Sequence, residues 1–188
     1  KLPNNTIQLI LYGQKYTLYV RSFLGLGLNE TSHQFLNAEP CFSQNYPLPD
    51  GDLGQGDAYA CAQKVANLIN THEVSKTVQP ILAANPVSTW YTIGGLANVA
   101  DHKLFHFNGQ FTNQELIQQS NSQVCQQNWD NLSEQFPNDD YVHLYCFSPS
   151  YYYSLMIDGY GITPEQQINY MAPSKNVDWT TGVVLYPR

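Results

Sequence analysis

Tyr141 and Tyr145 bracket Val142-His143-Leu144, immediately before Cys146. Two phenol rings at that spacing are suited to holding a planar base between them. A flat ring sandwiched between two others needs their faces roughly 7 Å apart, twice a normal contact distance. In a strand, residues four apart lie about 13 Å from each other and cannot close on it. On a helical or turn-like path their Cβ atoms come to about 5–6 Å. Asn138-Asp139-Asp140 is a sequence that starts such a turn. The alternative is a pair of core tyrosines, in a chain that has 14 tyrosines.

Other familiar chemistry is missing. The chain has no G-x-S-x-G, no Walker A loop and no H-E-x-x-H. Gly25-x-Gly27 lacks the third glycine of a dinucleotide loop and reads as a turn. Asp50, Asp52 and Asp57, set among Gly51, Gly54 and Gly56, resemble a calcium loop, but the closing bidentate Glu is absent. A solvated acidic loop is expected there. His102 and His106 share a helical spacing, yet Leu104-Phe105-His106-Phe107 reads as a strand, so no metal pair is predicted. Cys41, Cys61, Cys125 and Cys146 fall into two local pairs, with three pairings possible on paper and four reduced core cysteines as the alternative. No Cys/His spacing suggests zinc, and no histidine sits beside a cysteine to activate it.

A chain of 188 residues with 43% hydrophobic residues is long enough to bury a core as a single domain, 1–188. Its net charge of -7 argues against nucleic acid or an anionic membrane as partner, since both demand clustered Lys and Arg. The apolar runs fall well short of the roughly 18 residues that span a bilayer. Lys1-Leu2-Pro3-Asn4-Asn5 has no apolar h-region, so a mature fragment or processed piece is expected. The Tyr-, Asn- and Gln-rich composition with few Lys suits an exported protein.

The elements that must position the tyrosines read as a mixed α/β sheet flanked by helices. Ile7–Tyr12 and Tyr16–Phe23 alternate around Gly13-Gln14-Lys15 as a hairpin. Leu28–Leu36, Ala62–Asn70, Val74–Ala84, Leu96–Ala100, Asn113–Gln119, Val124–Phe136 and Tyr151–Gly159 read as helices, and Pro164–Asn169 as a short one. Val87–Ile93, Leu104–Phe107 and Tyr145–Ser148 read as extended. The stretch from Cys41 to Tyr59 is a long loop, to be pinned by a crosslink. Trp179–Leu185 fits either type.

Six segments in order along the chain resemble the second half of the nucleoside triphosphate diphosphohydrolases, or ecto-apyrases. They are Tyr16–Gly27, Glu39-Pro40-Cys41-Phe42, Ser88-Thr89-Trp90-Tyr91, Val124-Cys125-Gln126-Gln127-Asn128-Trp129, Tyr145-Cys146-Phe147-Ser148 and Asp178-Trp179-Thr180-Thr181-Gly182. The last is similar to the fifth apyrase signature, and the overall style is that of secreted bacterial members. The resemblance implies an actin-like, ribonuclease-H-like lobe, with its first strand missing, that binds the base of a nucleoside tri- or diphosphate. Tyr141 and Tyr145 match the tyrosines that sandwich the base, and Asn98 matches an asparagine near it. The disulfides implied are Cys41–Cys61 and Cys125–Cys146. Asp178, Trp179 and Gly182 would lie near the cleft.

Two departures stand out. Asn176 holds the Asp position of the fifth signature and Asp178 its Gly position, and Arg21 stands where a His is common. The glycine-rich Asp-x-Gly-Gly loop that precedes the hairpin in the family is missing, with the strand that carries it. The first phosphate loop and the catalytic glutamate are expected upstream, on an N-terminal lobe that also holds most of a Mg or Ca ion. By this resemblance the isolated chain is inactive, and the protein is secreted or periplasmic. A non-catalytic nucleotide- or glycan-binding module on the same fold is the alternative.

Overall fold

A computed structural model of the chain describes residues 5–172, so the signature residues Asn176, Asp178, Trp179 and Gly182 lie outside the described residues. Helix α1 covers Leu28–Gln34. The core is built around α2 (Ala58–Thr71), whose Ala58, Cys61, Ala62, Val65 and Ile69 recur at helical spacing and are all buried. Asp57 starts this helix. Its carboxylate accepts the N–H groups of Tyr59 and Ala60, each at 3.0 Å, donors that the first turn otherwise leaves unpaired. Against α2 lies α7 (Phe147–Ser154), where Phe147, Ser148, Pro149, Ser150, Tyr151 and Ser154 are buried. A helix buried on nearly every side shows no polar face, and here serine hydroxyls replace one. Ser150 donates to the Cys146 carbonyl at 2.8 Å and Ser154 to that of Ala62 at 2.6 Å.

A small mixed sheet completes the α/β architecture. Strands β3 (Trp90–Thr92), β4 (Gln110–Thr112) and β5 (Gln167–Tyr170) are ordered β3-β5-β4, with β3 parallel and β4 antiparallel to β5. Phe111 and Ile168 pair on its buried face, among Leu96, Leu116 and Met156. Helices α3 (Val74–Ala84), α4 (Gly95–Ala100), α5 (Asn113–Ser120) and α6 (Trp129–Gln135) are the remaining α-helices among the described residues. Thr112 and Glu115 form a reciprocal capping box at the start of α5.

The hairpin is present as β1 (Thr6–Leu11) and β2 (Gln14–Tyr19), closed by Tyr12-Gly13 with both residues at positive φ. That geometry matches the twist of a two-residue hairpin turn. Among the described residues the hairpin pairs only with itself and joins none of the three core clusters. Ile10 is 64% exposed and Leu18 40% exposed.

Several elements differ from the sequence expectation. The predicted helix 124–136 is two pieces: α5 runs on through a π-turn, Asn121–Cys125, and Asn128 then caps α6 by accepting the Asp130 N–H at 2.9 Å. A side chain that bonds its own backbone interrupts a helix as readily as it starts one. Tyr145–Ser148, expected as a strand, leads into α7, because a short run buried all round looks alike in both states. Pro164–Asn169, expected as a helix, instead ends in strand β5, where pairing on both sides overrides local propensity. Leu104–Phe107 is a turn whose first two residues are buried, and the strand follows it as β4.

Both disulfides link the local pairs: Cys41–Cys61, with Cα atoms 4.8 Å apart, and Cys125–Cys146, at 4.9 Å. The first fastens the 3-10 turn Glu39–Cys41 to α2. The long loop that follows is also held by the second crosslink. Gln44 N–H donates to the Cys125 carbonyl at 3.0 Å and Trp129 N–H to the Gln44 carbonyl at 2.8 Å. Gly56, at φ +66°, passes so close to Cys125 that an added Cβ would run into its carbonyl. Gly56→Ala is therefore expected to cost about 1–3 kcal/mol. Removing Cys41–Cys61 by paired Ala substitutions should cost about 3 kcal/mol. Urea unfolding of each variant checks both, and an unshifted midpoint for Gly56→Ala would refute the close approach.

Candidate functional site

Tyr141 and Tyr145 lie at the two ends of a 3-10 turn, Val142–Leu144. Leu144 N–H donates to the Tyr141 carbonyl at 2.8 Å and Tyr145 N–H to that of Val142 at 3.2 Å. The segment thus follows a turn and not a strand. Asp139 begins it, accepting the Tyr141 N–H on Oδ1 at 2.9 Å. The Tyr141 side chain is 66% exposed. Tyr145 is half-buried, with its ring stacked on His102 at 4.4 Å and an interplanar angle of 26°. Phe105 meets it edge-on at 6.2 Å. Burial pushes the Tyr145 phenol up to about 12, with the Asp139 charge adding to the rise. The hydroxyl is therefore a neutral donor at ordinary pH.

Helix α4 leads into His102. Leu96, Ala97, Val99 and Ala100 face the core and leave Asn98 exposed on the outer face. Asn98 N–H closes the first turn on Gly94 O at 2.8 Å, and its side chain bonds no other described residue. One turn further on, the chain reaches His102. Its Nε2 lies 2.9 Å from Asp139 Oδ2, and its Nδ1 accepts the Leu104 N–H at 3.2 Å. A ring nitrogen that accepts a backbone N–H carries no proton, which assigns a neutral imidazole with its proton on Nε2. Burial holds the His102 pKa below its ordinary value, and Asp139 opposes that shift only in part. Behind His102 lies Phe136, at 5.5 Å, capped by the Lys103 ammonium 4.8 Å above its ring.

Asn98 is thus joined to the tyrosine turn through His102, one helical turn away from it. Neither His102 nor Asp139 stood out in the sequence as part of a site. Asp139 was legible only as a turn former, and His102 only through its helical spacing from His106. A second aromatic group backs the turn, with His143 stacked on Tyr46 at 6.0 Å and Tyr46 meeting Trp129 edge-on at 4.8 Å. Burial lowers the His143 pKa as well.

Among the described residues, no three of His, Cys, Asp and Glu gather where they could hold a metal ion. The acidic loop has local uses instead. Asp57 caps α2, and Asp50 accepts the Asp52 N–H at 3.2 Å. No helix is long and apolar enough to cross a membrane among the described residues.

Both depressed histidines give a stability dependence on pH with a defined sign. The unfolded chain takes up protons near pH 6.5, where folded His102 and His143 stay neutral. Their contribution is complete above that pH and is lost as pH falls through the folded values. The melting temperature should hold from pH 8 to 7 and drop below about 6.5. His102→Gln should flatten part of that drop, and an unchanged pH slope would contradict a buried neutral His102.

Comparison with known proteins places this geometry in context. Residues 2–187 match the GDA1/CD39 (nucleoside phosphatase) family. The chain is 27% identical over 242 aligned positions to human ectonucleoside triphosphate diphosphohydrolase 3, covering 98% of this chain and 44% of the human protein. It is 25% identical over 234 positions to ectonucleoside triphosphate diphosphohydrolase 1 of Bos taurus, covering 97% of this chain and 44% of that protein. A shorter stretch, 68 positions and 32% of this chain, is 34% identical to probable apyrase 5 of Arabidopsis thaliana and covers 14% of that protein. The chain therefore spans less than half the length of the curated relatives it matches. With the match running over nearly every residue, the chain belongs to the GDA1/CD39 nucleoside phosphatase family.

Proposed function

We propose that this chain is the base-binding lobe of an exported apyrase that converts nucleoside tri- and diphosphates to the monophosphate and inorganic phosphate. The observation that carries the reading is an exposed Tyr141 on the same tight turn as a Tyr145 backed by His102, in a chain of a nucleoside phosphatase family. In this reading a base enters against the face of Tyr145 that His102 does not cover, with Tyr141 closing on its other side and Asn98 offering an amide to its edge. Stacking on aromatic faces holds a base without requiring charge, which suits an acidic chain. The work of this lobe is to fix where the nucleotide lies, so that its terminal phosphate meets groups held elsewhere. Asp178, Trp179 and Gly182 are assigned to the cleft side on sequence grounds alone.

The remaining parts of the reaction are assigned to an N-terminal lobe, supplied by the same precursor or a second chain. In support, the matched relatives are more than twice as long as the region they share with this chain. The cross-strand pair Ile7 and Leu18, both exposed, also offers an apolar face of the hairpin against which a further element can pack. A divalent cation, Mg or Ca, would neutralise phosphate charge when bound. Following the family resemblance, most of its ligands are assigned to the other lobe. Two disulfides are in keeping with an exported protein.

Phosphate release from ATP and ADP with magnesium tests the assignment. The purified chain alone should release none, and release should appear when the N-terminal lobe is supplied. Tyr145→Ala should weaken binding of adenosine monophosphate to the chain by at least about tenfold, from the worth of one base–aromatic stack. Unchanged binding in Tyr145→Ala, or in Tyr141→Ala, would remove the sandwich. Binding of a glycan instead would favour the non-catalytic alternative.

A further inference from the structure

We propose that His102 and Asp139 are positioning residues for base recognition, one carboxylate setting the placement of both tyrosines. The inference rests on the base-site reading above and deepens it. Asp139 uses its two oxygens on different parts of the site. Oδ1 accepts the Tyr141 N–H at 2.9 Å, and Oδ2 lies 2.9 Å from His102 Nε2. The imidazole is held at both nitrogens, since Leu104 N–H donates to Nδ1 at 3.2 Å, and such a ring cannot swing about its own axis. Tyr145 stacks on that fixed plane at 4.4 Å.

The column then runs Phe136, His102, Tyr145, with centroid spacings of 5.5 Å and 4.4 Å. His102 covers one face of Tyr145, so a base has only the other on which to stack. Ordering an aromatic side chain before the ligand arrives removes part of the entropy cost of binding. His102 and Asp139 are only 15% and 22% exposed, so solvent competes weakly for their contact. The charged groups facing His102 are Asp139 and Lys103, and Lys103 is engaged over Phe136. An ordinary surface ion pair would need a protonated imidazole, whereas the Leu104 bond requires the neutral one. The arrangement is a hydrogen-bonded brace.

Calorimetric titration of the 188-residue chain with adenosine monophosphate provides the test, beside the imidazole nitrogen spectrum of His102. Wild type should bind and show the proton on Nε2. His102→Gln keeps hydrogen-bonding capacity but removes the ring, and should weaken binding about three- to tenfold. His102→Phe keeps a ring behind Tyr145 and should recover part of that loss, which also covers a Gln variant that folds poorly. Asp139→Asn cannot accept from Tyr141 and His102 together, so it should both weaken binding and shift the His102 tautomer. If His102→Gln and Asp139→Asn bind as wild type does, the brace is wrong and the base site stands. If wild type itself fails to bind, the base site is wrong and the brace with it.

Discussion

The Cys125–Cys146 crosslink is the constraint on which most of the structure depends. Cys125 closes the π-turn after α5, and Cys146 opens α7, the most enclosed helix. The Cys125 carbonyl takes the Gln44 N–H, and its near neighbour Gly56 can pass only because it lacks a side chain. A single covalent point therefore sets the distance between the long loop, the α5 end and the start of α7. Tyr145 is the residue before that point, and Ser120, the last residue of α5, donates to its carbonyl at 3.5 Å. The crosslinked core thus fixes the Tyr145 end of the turn, while Asp139 orders the Tyr141 end.

On that foundation the electrostatics of the site are economical. A carboxylate near the core is expensive unless it is bonded. Asp139 meets this with two N–H donors, one from the backbone and one from a neutral imidazole, and keeps some contact with solvent. In the proposed base site, an acidic chain would meet only the uncharged base of a nucleotide while its phosphates project elsewhere.

How far this was legible in the sequence differed by element. The α3 helix, Val74–Ala84, and the hairpin follow directly from periodicity and turn chemistry. The two disulfides were legible as local pairs, and the resemblance selected that pairing from the three possible. Strand β5 was hidden because Pro164-Glu165-Gln166 is a good helix start, and only pairing with distant β3 and β4 makes Gln167–Tyr170 extended. Tyr141 and Tyr145 were visible by type and spacing. His102 and Asp139 were not, since their roles arise from a contact between residues far apart in the chain. No local pattern encodes such a contact.

The π-turns at Asn121–Cys125 and Leu155–Gly159 have a consequence for how this chain tolerates length change. Each carries one residue more than an α-helical turn would, which turns the exit of its helix by about 100°. In the first, that offset directs Val124 and Cys125 inward together; in the second, it buries Met156 and Gly159. Deleting a single residue from either turn would restore a regular helix and point the wrong side chains at the core. These two places should resist insertions and deletions far more than the exposed hairpin, although all three look like ordinary stretches of polar and apolar residues.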